Sequence, residues 1–198
     1  IPLNENLIDK IWLRKKNIIT SKFYSLPEIS VGENYKSKIN RIVSKLKKYR
    51  ADFHFVTASE NNAWLLNIRG NDSKFTPIPY SYILIDIKKH IKFFCDLNKI
   101  PNSFKKKFNK IEFIDIRNIG KFLSKIYKKR IIVDINTCSI YFENIIKNKN
   151  KIIKLQDFIY ALKAIKAKKE IKNIKRAHIY DGVALTKYLF WLKNNFLK

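Results

Sequence analysis

Between residues 35 and 49, Ile39, Ile42, Val43 and Leu46 fall three and four apart while Lys and Arg occupy the other faces. That spacing predicts an amphipathic helix burying one stripe. A fully apolar stretch follows at 53–56 and predicts a strand. Residues 60–67 predict a short helix after Ser59, with Gly70 of the Arg69-Gly70 pair supplying the glycine at which helices often stop. Apolar runs at 80–86 and 91–95 predict two strands joined by a basic hairpin at 87–90. A further strand is predicted at 111–114, with Asp115 placed to cap a helix over Ile119, Phe122, Leu123 and Ile126. Residues 130–134 predict a strand, and Thr137 is the expected cap of a helix whose apolar face is Ile140, Tyr141, Ile145 and Ile146. A last short strand is expected at 151–155, and from Asp157 onward the pattern is purely helical.

This alternation predicts a layered α/β domain followed by a C-terminal helical extension. The extension's apolar stripe is marked by Ile171, Ile174, His178 and Leu185, and it is expected to fold back on the domain or to pair with another chain. Ahead of the domain, residues 1–31 carry one cluster, Leu7, Ile8, Ile11 and Trp12, then Leu26-Pro27, and read as a short helix leading into an extended linker.

Composition fits this picture and adds one complication. A chain of 198 residues with 46% hydrophobic content can hold one well-cored domain plus an appendage, since single cores use ~100–150 residues. No apolar run approaches the ~20 residues of a membrane span, and nothing near Ile1 has the layout of a secretion signal. The chain opens on Ile and contains no Met, so it is expected to be a piece of a longer translation product. Cys95 and Cys138 lie in apolar runs and are expected to be buried thiols, which fits a reducing, cytoplasmic compartment.

The complication is charge. Forty-two Lys and Arg against sixteen Asp and Glu give a net charge of +26, which would draw the chain to nucleic acid or anionic membrane. The basic residues are mostly Lys scattered among Ile and Asn, as in the run KNKNKIIK at 147–154. All three residue types have A/T-rich codons, so a genome biased toward A and T accounts for the charge without an anionic partner. That account is preferred, and a nucleic-acid partner is kept as the alternative.

The segment ENNAWLLNIRGND at 60–72, followed by Thr76-Pro77 and Tyr80-Ser81-Tyr82, resembles the signature of aminopeptidase P middle domains. Residues 5–12 resemble the linker leaving that family's first domain, and 161–171 resemble its junction before the catalytic domain. The run RAHIYDGVALTKYLFWL at 176–192 resembles the helix that opens the catalytic domain. The resemblance implies a creatinase/prolidase N-terminal-like fold with a mixed sheet and flanking helices over 31–154. A linker at 1–30 would precede it, and the junction and first catalytic-domain helices would follow at 155–198. It also implies a metalloaminopeptidase that removes residues preceding proline with two divalent cations, usually manganese, held by two Asp, one His and two Glu. All five ligands lie beyond the position equivalent to Lys198, so no catalytic, cofactor or metal residue carries over. The expected partners are a separate catalytic polypeptide or a second copy of the chain; nucleic acid is disfavoured and, from the lack of a long apolar run, no membrane partner is expected.

The motif itself offers Trp64, Asn67, Arg69, Gly70 and Asp72 as one compact polar and aromatic group. These are expected to be structural, with Arg69 and Asp72 paired across a turn and Trp64 filling the core; the alternative is that Arg69 and Asp72 line the substrate approach or a dimer contact in an intact enzyme. His54, His90 and His178 show no metal spacing, and satisfied structural roles are expected for His54 and His178. Four glycines leave no phosphate-cradling loop. The strand-end carboxylates Asp86, Asp96, Asp115 and Asp134 raise the rival idea of a metal-dependent nuclease, against which the cap positions of Asp115 and Asp134 weigh.

Overall fold

The structure is a computed structural model that describes Leu7–Ile11 and residues 21–196. The predicted N-terminal helix is α1 (Leu7–Ile11), with Leu7, Ile8 and Ile11 exposed, and Trp12 lies outside the described residues. Next come β1 (Tyr24–Ser25), a single turn α2 (Glu28–Val31) and the amphipathic α3 (Tyr35–Lys48). Asn34 caps α3 by accepting the Ser37 N–H at 2.9 Å, and Ile39, Ile42, Val43 and Leu46 are buried along one stripe as the pattern predicts.

β2 (Phe53–Val56) leads into α4 (Ser59–Leu66), which stops earlier than the glycine suggested. Asn67 takes the left-handed conformation at φ 56°, so Asn67 and not Gly70 ends the helix. β3 (Ile68–Arg69) then pairs antiparallel with β1, Tyr24 opposite Arg69. Phe23, in the stretch expected as an incoming linker, is 2% exposed and part of the core.

The main sheet adds β4 (Tyr82–Asp86), β5 (Ile91–Cys95), β6 (Ile111–Asp115), β7 (Arg130–Val133) and β8 (Lys151–Lys154). Its order is β6-β5-β4-β2-β7-β8, and β4 alone runs against the other five. Alternation along the strands divides the core between two faces. On one face Val56, Ile83, Ile85 and Phe93 meet α3, α4 and α5 (Asn102–Lys107). On the other, Phe55, Leu84, Phe94 and Val133 meet α6 (Ile119–Leu123) and α7 (Ile140–Lys149). The result is the expected layered α/β domain, here with helices on both faces of the sheet.

Local departures have local causes. Asp115 caps a 3-10 turn, Ile116–Asn118, by accepting the Arg117 N–H at 2.9 Å, and α6 follows only after it. Ser139, two residues past the expected Thr137, caps α7. Thr137 instead shares a 2.7 Å hydrogen bond with Thr57. Of the expected face of α7, Ile146 is buried and Ile145 packs against the core, while Ile140 and Tyr141 face solvent and Phe142 is buried in their place.

After β8, α8 (Ile159–Ala164) packs Ile159 into the core and α9 (Lys168–Phe196) leaves the domain. The expected return of the extension onto the domain does not occur, and none of α9's residues is buried. Its attachment is confined to its first turns. Asn173 donates to the Ile29 and Ser30 carbonyls at 3.4 and 3.5 Å, and Glu170 caps the helix by accepting the Ala167 N–H at 2.7 Å. Gly32, at φ +72°, lies so close that a Cβ there would stand 2.7 Å from the Ala167 Cβ. Among the described residues no helix is long and apolar enough to cross a membrane.

Candidate functional site

The motif residues gather around a buried lysine that the residue pattern alone does not single out. Lys38 on α3 is 1% exposed and donates to the Trp64 carbonyl at 2.8 Å and to Asn67 Oδ1 at 2.6 Å. Its ammonium also lies 4.0 Å from the Trp64 ring centroid. Burial lowers its pKa to about 8, against the opposing pull of Glu33 and Glu170. Asn67 closes the circuit by donating Nδ2 to the Glu33 carbonyl at 2.8 Å. Trp64 itself is half-buried at the core's margin and does not fill it.

Arg69 and Asp72 do not pair with each other. Arg69 Nη1 donates to the Ala63 and Ile68 carbonyls at 3.1 and 2.8 Å, and burial lowers the guanidinium's pKa. Asp72 accepts the Tyr80 N–H at 2.8 Å and forms an ion pair with Lys99. Gly70 is required by crowding, because a Cβ would stand 2.9 Å from the Phe23 ring. Asn67 and Arg69 thus bond across the α4–β3 turn, while Asp72 ties the following loop to Tyr80 and Lys99. A cavity of about 200 Å³ joins this node to the start of α9, lined by Glu33, Lys38, Arg41, Trp64, Ala167 and Glu170.

A second polar cluster lies where β2 and β7 meet the segment leading into α8. His54 is fully buried, and neither ring nitrogen makes a hydrogen bond, contrary to the expected satisfied role. Its Nε2 is 3.5 Å from Asp157 Oδ1 and its ring centroid 4.5 Å from that of Phe158. Burial holds the imidazole pKa down despite Asp157 and Asp134 nearby. Asp157 is occupied elsewhere, accepting the Ile159 N–H at 2.9 Å and Asn61 Nδ2 at 2.7 Å. His178 is exposed on α9, and His90 pairs with Asp86 at 2.7 Å.

The strand-end carboxylates each serve backbone N–H groups. Asp86 accepts from Lys88 and His90, Asp96 from Asn98, Asp115 from Arg117, and Asp134 from Asn136 and Asp157. Hydrogen bonds from Arg117 pull the Asp115 carboxyl down to about 2. Both thiols are buried and free, with Cys95 shifted upward and Cys138 pushed up to about 11, chiefly by burial. Among the described residues no group of three His, Cys, Asp or Glu could hold a metal ion, so the described residues offer no two-cation centre.

Comparison with known proteins places this geometry. Residues 14–170 match the creatinase/prolidase N-terminal domain. An Xaa-Pro aminopeptidase of Drosophila melanogaster is 32% identical over 200 residues, covering 98% of this chain and 32% of that protein. Xaa-Pro aminopeptidase 1 of Dictyostelium discoideum is 30% identical, covering 98% and 32%. The crystal structure of X-prolyl aminopeptidase from Caenorhabditis elegans, described as a cytosolic enzyme with a di-nuclear active site, superposes with a TM-score of 0.87 at 22% identity. The match covers 100% of this chain and 33% of that one. The chain therefore spans about a third of the length of the curated relatives it matches. The chain belongs to the creatinase/prolidase N-terminal domain family.

Proposed function

We propose that this chain is the non-catalytic middle portion of an Xaa-Pro aminopeptidase-type metallopeptidase, acting as a rigid support for a metal-bearing catalytic portion. The observation that carries this reading is α9, a 29-residue helix with no buried residue that displays Ile179, Val183, Phe190 and Trp191 to solvent. Such a face belongs to an interface, since large apolar patches are normally covered. The partner surface is a metal-bearing portion holding two divalent cations, manganese in this reading, with a second copy of the chain as the other candidate. The motif around Lys38 then has a mechanical role: it stiffens the turn against which α9 begins. The buried thiols and the absence of a spanning helix among the described residues are compatible with a cytoplasmic setting.

The test is complementation. Assayed with manganese and an Xaa-Pro peptide, the 198-residue chain is expected to release no N-terminal residue. Mixed with the metal-bearing portion of a relative, it is expected to protect the α9 amides from hydrogen exchange and to support cleavage. Hydrolysis by the chain alone overturns the proposal, and so does an α9 that stays unprotected in an active mixture.

A further inference from the structure

The topology sorts the charge in a way composition hides. Because β4 alone runs opposite to its neighbours, the segments that feed β2, β5, β6, β7 and β8 all arrive at one edge of the sheet. Those segments read KKYR at 47–50, KKH at 88–90, KKFNK at 106–110, KKR at 128–130 and KNKNK at 147–151. The far ends of the same strands read differently: Asp115 ends β6, Asp96 and Asp134 follow β5 and β7 directly, and Glu60 and Asp157 come a few residues after β2 and β8. The sheet is therefore polarised from end to end.

The basic edge is also grooved. Near β5 and β6 a cleft of about 580 Å³ is lined by Tyr35, Lys36, Lys88, Lys89, His90 and Lys110, over a floor of buried Ile39, Ile91 and Ile111. Near β7 and β8 a shallower hollow of about 500 Å³ is walled by Lys128, Lys129, Arg130, Lys147, Lys149 and Lys151. Among the described residues no carboxylate lines either one. Lys36, Lys88, Lys89 and Lys110 have no acidic partner among the described residues. The carboxylates at this edge are committed: Asp86 to the Lys88 and His90 N–H groups and the His90 ring, Asp52 to the Arg130 N–H at 2.8 Å and to Lys129.

Helix ends explain only part of this. α3, α5 and α7 finish at the edge, and a helix C-terminus favours nearby cations. Each supplies only about half a negative charge, and the 88–89 and 128–129 lysines stand at no helix C-terminus. Unneutralised ammonium groups crowded along one edge repel one another, and a polyanion laid across them removes that repulsion. Six strands put the two ends of the edge about 24 Å apart. Tyr127, beside Lys128 and 65% exposed, and the face of Tyr49 that is not stacked on Phe158 add ring faces among the charges.

We infer that this edge binds single-stranded nucleic acid, holding successive phosphates by lysine and offering tyrosine rings to unpaired bases without reading their sequence. The inference is independent of the proposed peptidase role and uses no residue of the Trp64 motif or of α9.

The experiment is fluorescence anisotropy of a labelled oligouridylate titrated with the protein between about 50 and about 200 mM salt. Binding is expected, with log K falling linearly against log salt. The variant Lys88→Gln/Lys89→Gln/Lys128→Gln/Lys129→Gln is expected to bind at least about tenfold more weakly, with a slope shallower by roughly 0.7 for each phosphate no longer neutralised. A variant of equal charge change elsewhere, Lys74→Gln/Lys121→Gln/Lys168→Gln/Lys172→Gln, is expected to stay within about twofold of the parent. Amide exchange on the unsubstituted protein should show protection at 87–90 and 127–130 when the oligonucleotide binds, a readout that survives any misfolding of a variant. Absence of binding, equal weakening in the two variants, or edge-dependent binding to anionic vesicles but not to the oligonucleotide overturns the inference.

Discussion

α4 and α9 carry similar apolar residues, yet five of the eight residues of α4 are buried and none of the 29 in α9. α4 has little one-sided character, and tertiary partners hold it: Asn62 donates to the Ser81 carbonyl at 2.8 Å and Asn61 to Asp157 at 2.7 Å. α9 depends on length, its Glu170 cap and neighbours along the helix such as Arg176 with Tyr180 at 3.0 Å. The contrast separates two uses of apolar surface. One closes a core and fixes a conformation; the other stays exposed to solvent.

Breaking the closed side should have the largest effect. Leu66→Ala, at a position 1% exposed, is expected to cost about 2–5 kcal/mol in urea unfolding. Lys38→Met comes next. It keeps the aliphatic stem but leaves the Trp64 carbonyl and Asn67 Oδ1 without their donor, and a loss of about 1–3 kcal/mol is expected by the same measurement.

Acid probes the closed side more gently. Because the His54 pKa is lowered in the fold, the unfolded chain takes up the proton first as pH falls below about 6.5. Stability is therefore full above that pH and declines below it, by up to about 1.4 kcal/mol per pH unit. Urea midpoints at pH 7.5 and 5.5 should show the decline, and His54→Leu should flatten it. The smallest effect is expected on the open side. Phe190→Ser with Trp191→Ser should move the chain's own unfolding by less than about 0.5 kcal/mol, while abolishing the α9 protection expected on complementation. A large stability loss there would mean α9 is covered after all.

Much of the fold is legible along the chain, because α3 has the three-and-four spacing of a helix and β2 and β5 are apolar runs of strand length. α5 is not: the Lys-rich run hides Phe104 and, just past the helix end, Phe108, four apart, which are the residues this segment buries. Thr137 and Ser139 are equally good caps by type, and only the partner Thr57, eighty residues away in sequence, decides between them. Lys38 is one lysine among many, and nothing local marks it as the one that turns inward. The motif residues are identifiable by type and order, but Arg69 and Asp72 find partners set by tertiary distance and not by their spacing. The basic edge depends on strand direction, which no local pattern encodes.

The contact between Gly32 and Ala167 acts as the fulcrum of a lever. At about 1.5 Å per residue the 29 residues of α9 extend about 43 Å, so a tilt of only about 5° at the fulcrum displaces the far end by about 4 Å. A single methyl group at position 32, too large for the 2.7 Å gap its carbon would leave, would be magnified along that arm. The position of Trp191 is thus set by a hydrogen atom at the other end of the helix.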